Sequence, residues 1–146
     1  MQKFIGTKLI EAEPCPAWKD FGKHKTGDPG YKVLYPDGYE SWSPKDVFEK
    51  AYLPLTINEN LRTDAPSISQ GMVDNFILET WTQTLGDKCT VVRAMLRNGF
   101  EIVESSACVN AKNYDEKLGR EICLKKIKDK VWMLLGFLLQ TAAHGI

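Results

Sequence analysis

The chain has 146 residues, enough for one domain or two very small ones. Hydrophobic residues make up 43% and charged residues 26%, which is ordinary for a globular protein and argues against disorder. Lys plus Arg and Asp plus Glu balance at 19 each, so the net charge is zero. This balance argues against a duplex-DNA partner, because proteins that neutralise many phosphates carry a basic surplus.

The apolar segments and the cysteines indicate a soluble protein of a reducing compartment. The N-terminus lacks the apolar core of a secretory signal. The longest apolar run, residues 131–139, is too short to cross a bilayer, so no membrane partner is expected. The four cysteines are far apart and form no CxxC pair, which favours reduced, mostly buried thiols in a cytoplasm over a disulfide scaffold.

The first 56 residues predict a small antiparallel sheet with a short helix. The β-prone residues of 4–13 predict a first strand, and residues 31–35 and 39–42 predict two more. Pro36-Asp37-Gly38 between the last two is a turn, because proline presets φ and glycine accepts a positive φ.

A short helix and a linker complete this N-terminal module. Ser43 is the expected N-cap, Pro44 suits the first helical position, and the helix is expected to end near Tyr52. Residues 57–67 are predicted to be a linker, which divides the chain into a module over 1–56 and a domain over 68–146.

The second domain is predicted to begin with a helix capped by Ser67 or Ser69. Threonines and a tryptophan then favour extended structure from about Glu79. The consecutive β-branched residues 90–92 favour another strand over a helix.

Asn98-Gly99 predicts a β-hairpin with a two-residue type I′ turn. Such a turn fixes the register of the two strands. The register places three pairs on one face: Arg97 with Phe100, Met95 with Ile102, and Arg93 with Glu104. Val92, Ala94 and Leu96 are expected on the other face together with Val103.

One long helix is predicted to end the chain, which makes the fold class α+β. Asn113 with Glu116 three residues later has the pattern of a capping box, and Gly145 suits the position just beyond the helix. From Val131 onward the helix is apolar nearly all round, so we expect a homo-oligomer to bury this end. The predicted core stripe is Cys123, Ile127, Val131, Leu134, Leu138 and Ala142.

No residues assemble into a catalytic centre in this reading. The two histidines share no metal-ligand spacing with a cysteine, and Cys108 has no recognisable base nearby. Glu101 and Glu104 are expected on opposite faces of their strand, which makes them a poor acid–base pair. The chain has no phosphate-binding loop and no nucleophile elbow. We therefore expect a binding protein without a metal or a cofactor, and not an enzyme.

The basic, amide and aromatic residues around the hairpin predict a nucleotide-binding site. Six basic and two acidic residues lie between Lys117 and Lys130, a run that is also typical of a solvated helix face. Arginine and lysine suit phosphates, an aromatic ring suits a base, and amides suit base edges. The candidates are Arg93, Arg97, Arg120, Lys126 and Lys130 for phosphates, Phe100 for a base, and Asn98 and Asn110 for its edge; whether Trp81 contributes stays open.

Residues 89–137 resemble a widespread family of small phage and prophage proteins. The elements that carry the resemblance are the NGF turn, the ESSACV stretch, the Asn-Tyr-Asp helix start and the W-x-L-L-G-F end. The front segment, FIGTKLIEAEP followed by GYKVLYPDGYESWSPKDVFEKAY, looks like a phage module found ahead of various small domains, although its loop over 15–30 is shorter than that module leads one to expect.

This resemblance implies expression in the cytoplasm of a bacterial host. Some proteins that carry the front module resemble phage sponges, which sequester cyclic nucleotide signals of Thoeris or CBASS immunity. By analogy, the expected function is to sequester a cyclic ADP-ribose isomer or a cyclic oligonucleotide. One alternative is an accessory protein that binds a host protein through the apolar helix end, and another is a hydrolase of small nucleotides.

Overall fold

The computed structural model describes all 146 residues and confirms the α+β fold. In the first part of the chain, strands β1 (Glu11–Pro14), β2 (Gly30–Leu34) and β3 (Glu40–Pro44) are followed by helix α1 (Lys45–Ala51). The elements that follow are α2 (Gln70–Phe76), β4 (Ile77–Leu85), β5 (Cys89–Leu96), β6 (Glu101–Ala107), a 3₁₀ turn (Ala111–Asn113) and α3 (Glu116–His144).

The chain forms two compact units. The N-terminal unit comprises Met1–Pro54 together with Leu138–Ile146, and the C-terminal unit comprises Leu55–Phe137. Each unit has one antiparallel three-stranded sheet, in the order β1-β2-β3 and β4-β5-β6 respectively. No helix combines the length and the apolar character needed to cross a bilayer.

The N-terminal unit is organised around Trp42. This ring is buried, stacks on Phe21 at 5.2 Å, and donates from Nε1 to the carbonyl of Cys15 at 2.9 Å. The predicted first strand is too long, since only residues 11–14 pair with β2. The predicted Ser43 cap is also wrong, because Ser43 pairs with Tyr31 inside the sheet and α1 begins without a side-chain cap.

In the C-terminal unit, α3 lies on one face of the β4-β5-β6 sheet. The Cys123 thiol contacts the carbonyl of Thr90, and Gly119 approaches the Thr90 side chain. Because side chains alternate along a strand, the even-numbered residues of β5 face the helix. The buried residues of this core are Val92, Ala94, Leu96, Ile102, Cys123, Ile127, Val131 and Leu135.

Two of the predicted helix features are confirmed, one is wrong, and the predicted core stripe is confirmed in part. Ser69 caps α2 by accepting from the Met72 amide at 3.3 Å, and Gly145 follows α3 with a φ of +85°. The helix begins at Glu116 after Asp115, whose carboxylate accepts from the Leu118 amide at 3.3 Å, so the predicted capping box at Asn113 is wrong. Cys123, Ile127 and Val131 are buried as predicted, while Leu138 is exposed and Leu135 continues the stripe.

The hairpin register differs by one residue from the prediction. The loop has three residues, 97–99, because Leu96 donates to the Phe100 carbonyl at 2.8 Å and accepts from the Gly99 amide at 2.9 Å. Only Gly99 has a positive φ, whereas a type I′ turn would require one at Asn98 as well. The observed partners are Arg93 with Val103, Ala94 with Ile102, and Met95 with Glu101.

Candidate functional site

The face of the β4-β5-β6 sheet that α3 does not cover carries an aromatic ring beside an arginine. The strand registers align Trp81, Arg93 and Val103 in one row across the three strands. Trp81 is 39% exposed and Val103 is 56% exposed. We call this surface the open face; it is built from the odd-numbered residues of β5 and β6 and from those of β4 from Glu79 onward.

Arg93 is held in place from two sides. Its guanidinium lies 4.5 Å from the centroid of the Trp81 ring, within the range of a cation–π contact. Its Nη2 donates to Oε1 of Glu101, the next odd-numbered residue along β6. This hydrogen bond raises the pKa of Arg93 and lowers the pKa of Glu101, so both groups stay charged at neutral pH.

This arrangement offers two kinds of contact to a ligand. The exposed part of the Trp81 ring is a flat apolar surface on which a base can stack. The Arg93 guanidinium has five N–H donors, and Glu101 accepts from Nη2 alone, so further donors remain for an anion such as phosphate. Because Glu101 and Trp81 fix the arginine beforehand, a ligand would find these donors already oriented.

The β5–β6 loop borders one end of the open face. Phe100 in this loop is 57% exposed. Asn98 accepts from the Phe100 amide at 3.0 Å through its side-chain oxygen, and the Arg97 amide donates to the Phe76 carbonyl at 2.9 Å. The loop therefore places three predicted ligand residues next to one another, but not in the row that contains Arg93.

The three predicted basic residues of α3 lie apart from the open face and have partners within the fold. Arg120 donates from Nε to Thr82 at 3.1 Å and from Nη2 to Thr80 at 3.3 Å. Lys126 donates to the Ser105 carbonyl at 2.8 Å. Lys130 forms an ion pair with Glu104, so the predicted pairing of Glu104 with Arg93 is wrong.

Asn110 lies beyond the other end of β6. Its side-chain oxygen accepts from the Lys112 amide at 2.9 Å and starts the 3₁₀ turn. The seven residues of β6 separate it from Phe100, a distance of roughly 23 Å at about 3.3 Å per residue. The eight predicted ligand residues therefore occupy four places, namely the open face, the β5–β6 loop, α3 and the 3₁₀ turn, and they do not line one pocket.

Trp81 is the residue of the open face that the sequence prediction left open. The sequence feature that could have placed Trp81 beside Arg93 is the turn at residues 86–88, where Gly86 has a φ of +65°. A three-residue loop there pairs Leu85 with Cys89, and counting back along both strands pairs Trp81 with Arg93.

The remaining groups to place are the possible metal ligands and the cysteines. No group of three or more His, Cys, Asp or Glu side chains is placed to hold a metal ion. The Cys108 thiol contacts the carbonyls of Lys88 and Asn110, and neither of these is a base. The four cysteines are free thiols.

Comparison with known proteins identifies a phage protein family. The model of the "Phage protein (N4 Gp49/phage Sf6 gene 66)" family matches residues 68–143, slightly more than half of the chain. The matched region contains α2, the β4-β5-β6 sheet and nearly all of α3. The match confirms the resemblance to phage proteins that residues 89–137 indicated. No curated protein and no solved structure matches the chain.

Proposed function

The chain belongs to this phage protein family, and we propose that it is a non-enzymatic binding protein that sequesters a nucleotide-derived immune signal in the bacterial host. The proposed ligand is a cyclic ADP-ribose isomer or a cyclic oligonucleotide, and the proposed binding surface is the open face. The contact of Arg93 with Trp81 is the observation that carries the proposal.

The chemistry of the open face supports a ligand with both a base and a phosphate. Stacking of a base on an aromatic side chain contributes about 1–3 kcal/mol. The arginine next to that ring supplies charge-assisted donors for a phosphate. A single-strand binder would use similar contacts repeatedly, whereas the balanced charge of this chain favours a small ligand.

Sequestration without turnover is part of the proposal. Hydrolysis of a phosphodiester requires a metal, or a nucleophile with a base, near the bound phosphate. The charged neighbours of Arg93 are Glu101, which is engaged with it, and Glu79. Tight binding with no chemical step is what a sponge requires.

A thermal-shift panel of cyclic nucleotides and cyclic ADP-ribose isomers tests this proposal. A compound present at 100 times its Kd adds about 2.7 kcal/mol to the free energy of unfolding. We expect at least one compound to raise Tm, and we expect it to be recovered intact after long incubation. Recovery of a cleaved product would show an enzyme instead.

Two tryptophan variants provide the matched comparison. Trp81→Ala is expected to abolish the ligand-induced shift, while Trp18→Ala, an exposed tryptophan of the N-terminal unit, is expected to keep it. If no compound of the panel shifts Tm, and heat-denatured protein from infected cells releases no nucleotide, the proposal is wrong.

A second candidate function is binding of a host protein through α3. Met133 is 65% exposed and Phe137 is 73% exposed, while Val131 and Leu135 of the same turns are buried. Two large apolar side chains on the outer side of a helix suit a hydrophobic groove on a partner. A stoichiometric host protein that is retained by Trp81→Ala and lost in Met133→Asp would favour this function over the first.

A further inference from the structure

The two edges of the β4-β5-β6 sheet differ in how well they are protected. On β6, Lys126 occupies the Ser105 carbonyl, and the strand carries the carboxylates of Glu101 and Glu104. On β4, nine residues carry a single charge, Glu79, and no backbone group of another segment is bonded to the outer edge. Long edge strands without charges or a cover pair readily with another strand.

The direction of the backbone groups follows from the hairpin. Leu96 of β5 bonds to Phe100, so the even-numbered residues of β5 bond to β6 and the odd-numbered residues bond to β4. From Glu79 onward, the odd-numbered residues of β4 therefore direct their backbone N–H and C=O groups into the sheet. The outer N–H and C=O groups of β4 belong to Thr80, Thr82 and Thr84.

We propose that β4 pairs antiparallel with β4 of a second copy of this chain, about a two-fold axis at Trp81. Trp81 is the central residue of the nine in β4, so this register gives the fullest overlap of the two strands. It makes hydrogen-bonded pairs of Thr80 with Thr82 of the second copy, which are residues whose backbone groups point outward. A two-fold axis makes the interface self-complementary and closes the assembly as a dimer.

The side chains of β4 suit this register. Each Thr80 lies opposite a Thr82, and the two Trp81 rings lie opposite each other across the axis. Threonine pairs and aromatic pairs are both favourable across antiparallel strands. The only charged residue of the strand, Glu79, meets Gln83 of the second copy, so the two strands themselves oppose no like charges. On the helix side, the pairing brings two Arg120 side chains close together, each bonded to threonines of its own chain. Salt screens the repulsion between these two charges and should therefore strengthen the dimer.

The pairing gives the open face a two-fold site, a consequence that rests on the proposed function. One row would run across six strands, with Arg93, Trp81, and then Trp81 and Arg93 of the second copy at its centre. Two rings flanked by two guanidiniums match a ligand with two bases and two phosphates. The chemistry therefore points to a cyclic dinucleotide, bound once per dimer.

Charge substitutions at Gln83 test the register directly. The dimer dissociation constant is measured by sedimentation without ligand. Gln83→Glu, which opposes Glu79 twice per dimer, is expected to weaken association by about three- to tenfold, and Gln83→Lys to strengthen it. Glu79→Lys combined with Gln83→Glu is expected to restore association.

Ser105 on β6 provides the matched control. It lies in the same row as Gln83, is exposed, and stands on the opposite edge of the sheet. Ser105→Glu and Ser105→Lys are expected to leave the dimer unchanged, as is Met133→Asp on α3. A chain that stays monomeric even as Gln83→Lys, a dimer that ignores both charges at Gln83, or a dimer lost in Met133→Asp would overturn the pairing.

A calorimetric titration with cyclic dinucleotides separates the pairing from the proposed function. One ligand per two chains supports both. A dimer that responds to Gln83 charge but binds no nucleotide retains the pairing and removes the proposed function. A nucleotide bound once per chain to a monomer supports the proposed function and rules out the pairing.

Discussion

Gly119 of α3 lies against Thr90 of β5 so closely that a Cβ on the glycine would come within 2.8 Å of the Thr90 Cβ. This contact sets the distance between the helix and the sheet. Thr90 also belongs to a network of hydroxyl groups. It is hydrogen-bonded to the Tyr114 hydroxyl at 2.9 Å, and Tyr114 is hydrogen-bonded to Thr84 at 2.6 Å. The helix can approach the strand only where it has no side chain.

Gly119→Ala is therefore expected to destabilise the protein although alanine is the better helix former. Overpacking costs about 1–3 kcal/mol, and alanine returns up to about 1 kcal/mol of helix propensity. Gly136→Ala is the matched control, since it is in the same helix with nothing within 4 Å of its Cβ position. Urea denaturation should show Gly119→Ala less stable than wild type and Gly136→Ala more stable by about 0.5–1 kcal/mol. Equal effects would contradict the close contact.

The cysteines are expected to differ in reactivity with a thiol reagent. Burial raises the pKa of the Cys123 thiol, which contacts the Thr90 carbonyl inside the core. The thiolate is the reactive form, so Cys123 should react only on unfolding. Cys15, Cys89 and Cys108 are partly exposed and should react first. Mass spectrometry should count three fast additions, and Cys123→Ala should remove only the slow one; a fourth fast addition would contradict this core.

The pair of Arg93 and Glu101 gives a pH dependence with a definite sign. The Arg93 hydrogen bond lowers the pKa of Glu101 in the folded state. Its contribution to stability is present above the ordinary glutamate pKa and is lost as pH falls through the lowered value. The pair is exposed, so this contribution is small. An NMR titration should give Glu101 a midpoint below that of an ordinary glutamate, and Arg93→Ala should restore the ordinary value. Identical midpoints in both proteins would contradict the pair.

The secondary structure could largely be predicted from the sequence, because it depends on local signals. Ser69 caps α2, and Gly38, Gly99 and Gly145 adopt the positive φ expected at their positions. The register of the hairpin could not be predicted from Asn98-Gly99 alone, because the same dipeptide fits a two-residue turn and a three-residue loop with glycine last. That difference of one residue moves Ile102 into the core and Val103 out of it.

The sequence predicts the candidate site less well than the secondary structure, because the site depends on the register and on contacts between α3 and the sheet. Arg93 was expected to face Glu104 beside Phe100, whereas Glu104 lies toward α3 and pairs with Lys130. The sequence predicts Lys126 and Arg120 as phosphate ligands, but their side chains bond to residues of the sheet. Such partners depend on how α3 crosses the strands, and local sequence does not contain that information.

The most direct test of ligand binding on the open face is the indole N–H signal of each tryptophan. The chain has four tryptophans, so a ¹⁵N-labelled sample gives four such signals, and Trp81→Phe identifies one. On addition of the cyclic nucleotide that raises Tm most, the Trp81 signal is expected to move the most, and Arg93→Ala is expected to weaken that response. If the ligand moves the Trp18, Trp42 or Trp132 signal and leaves Trp81 in place, the ligand does not bind on the open face.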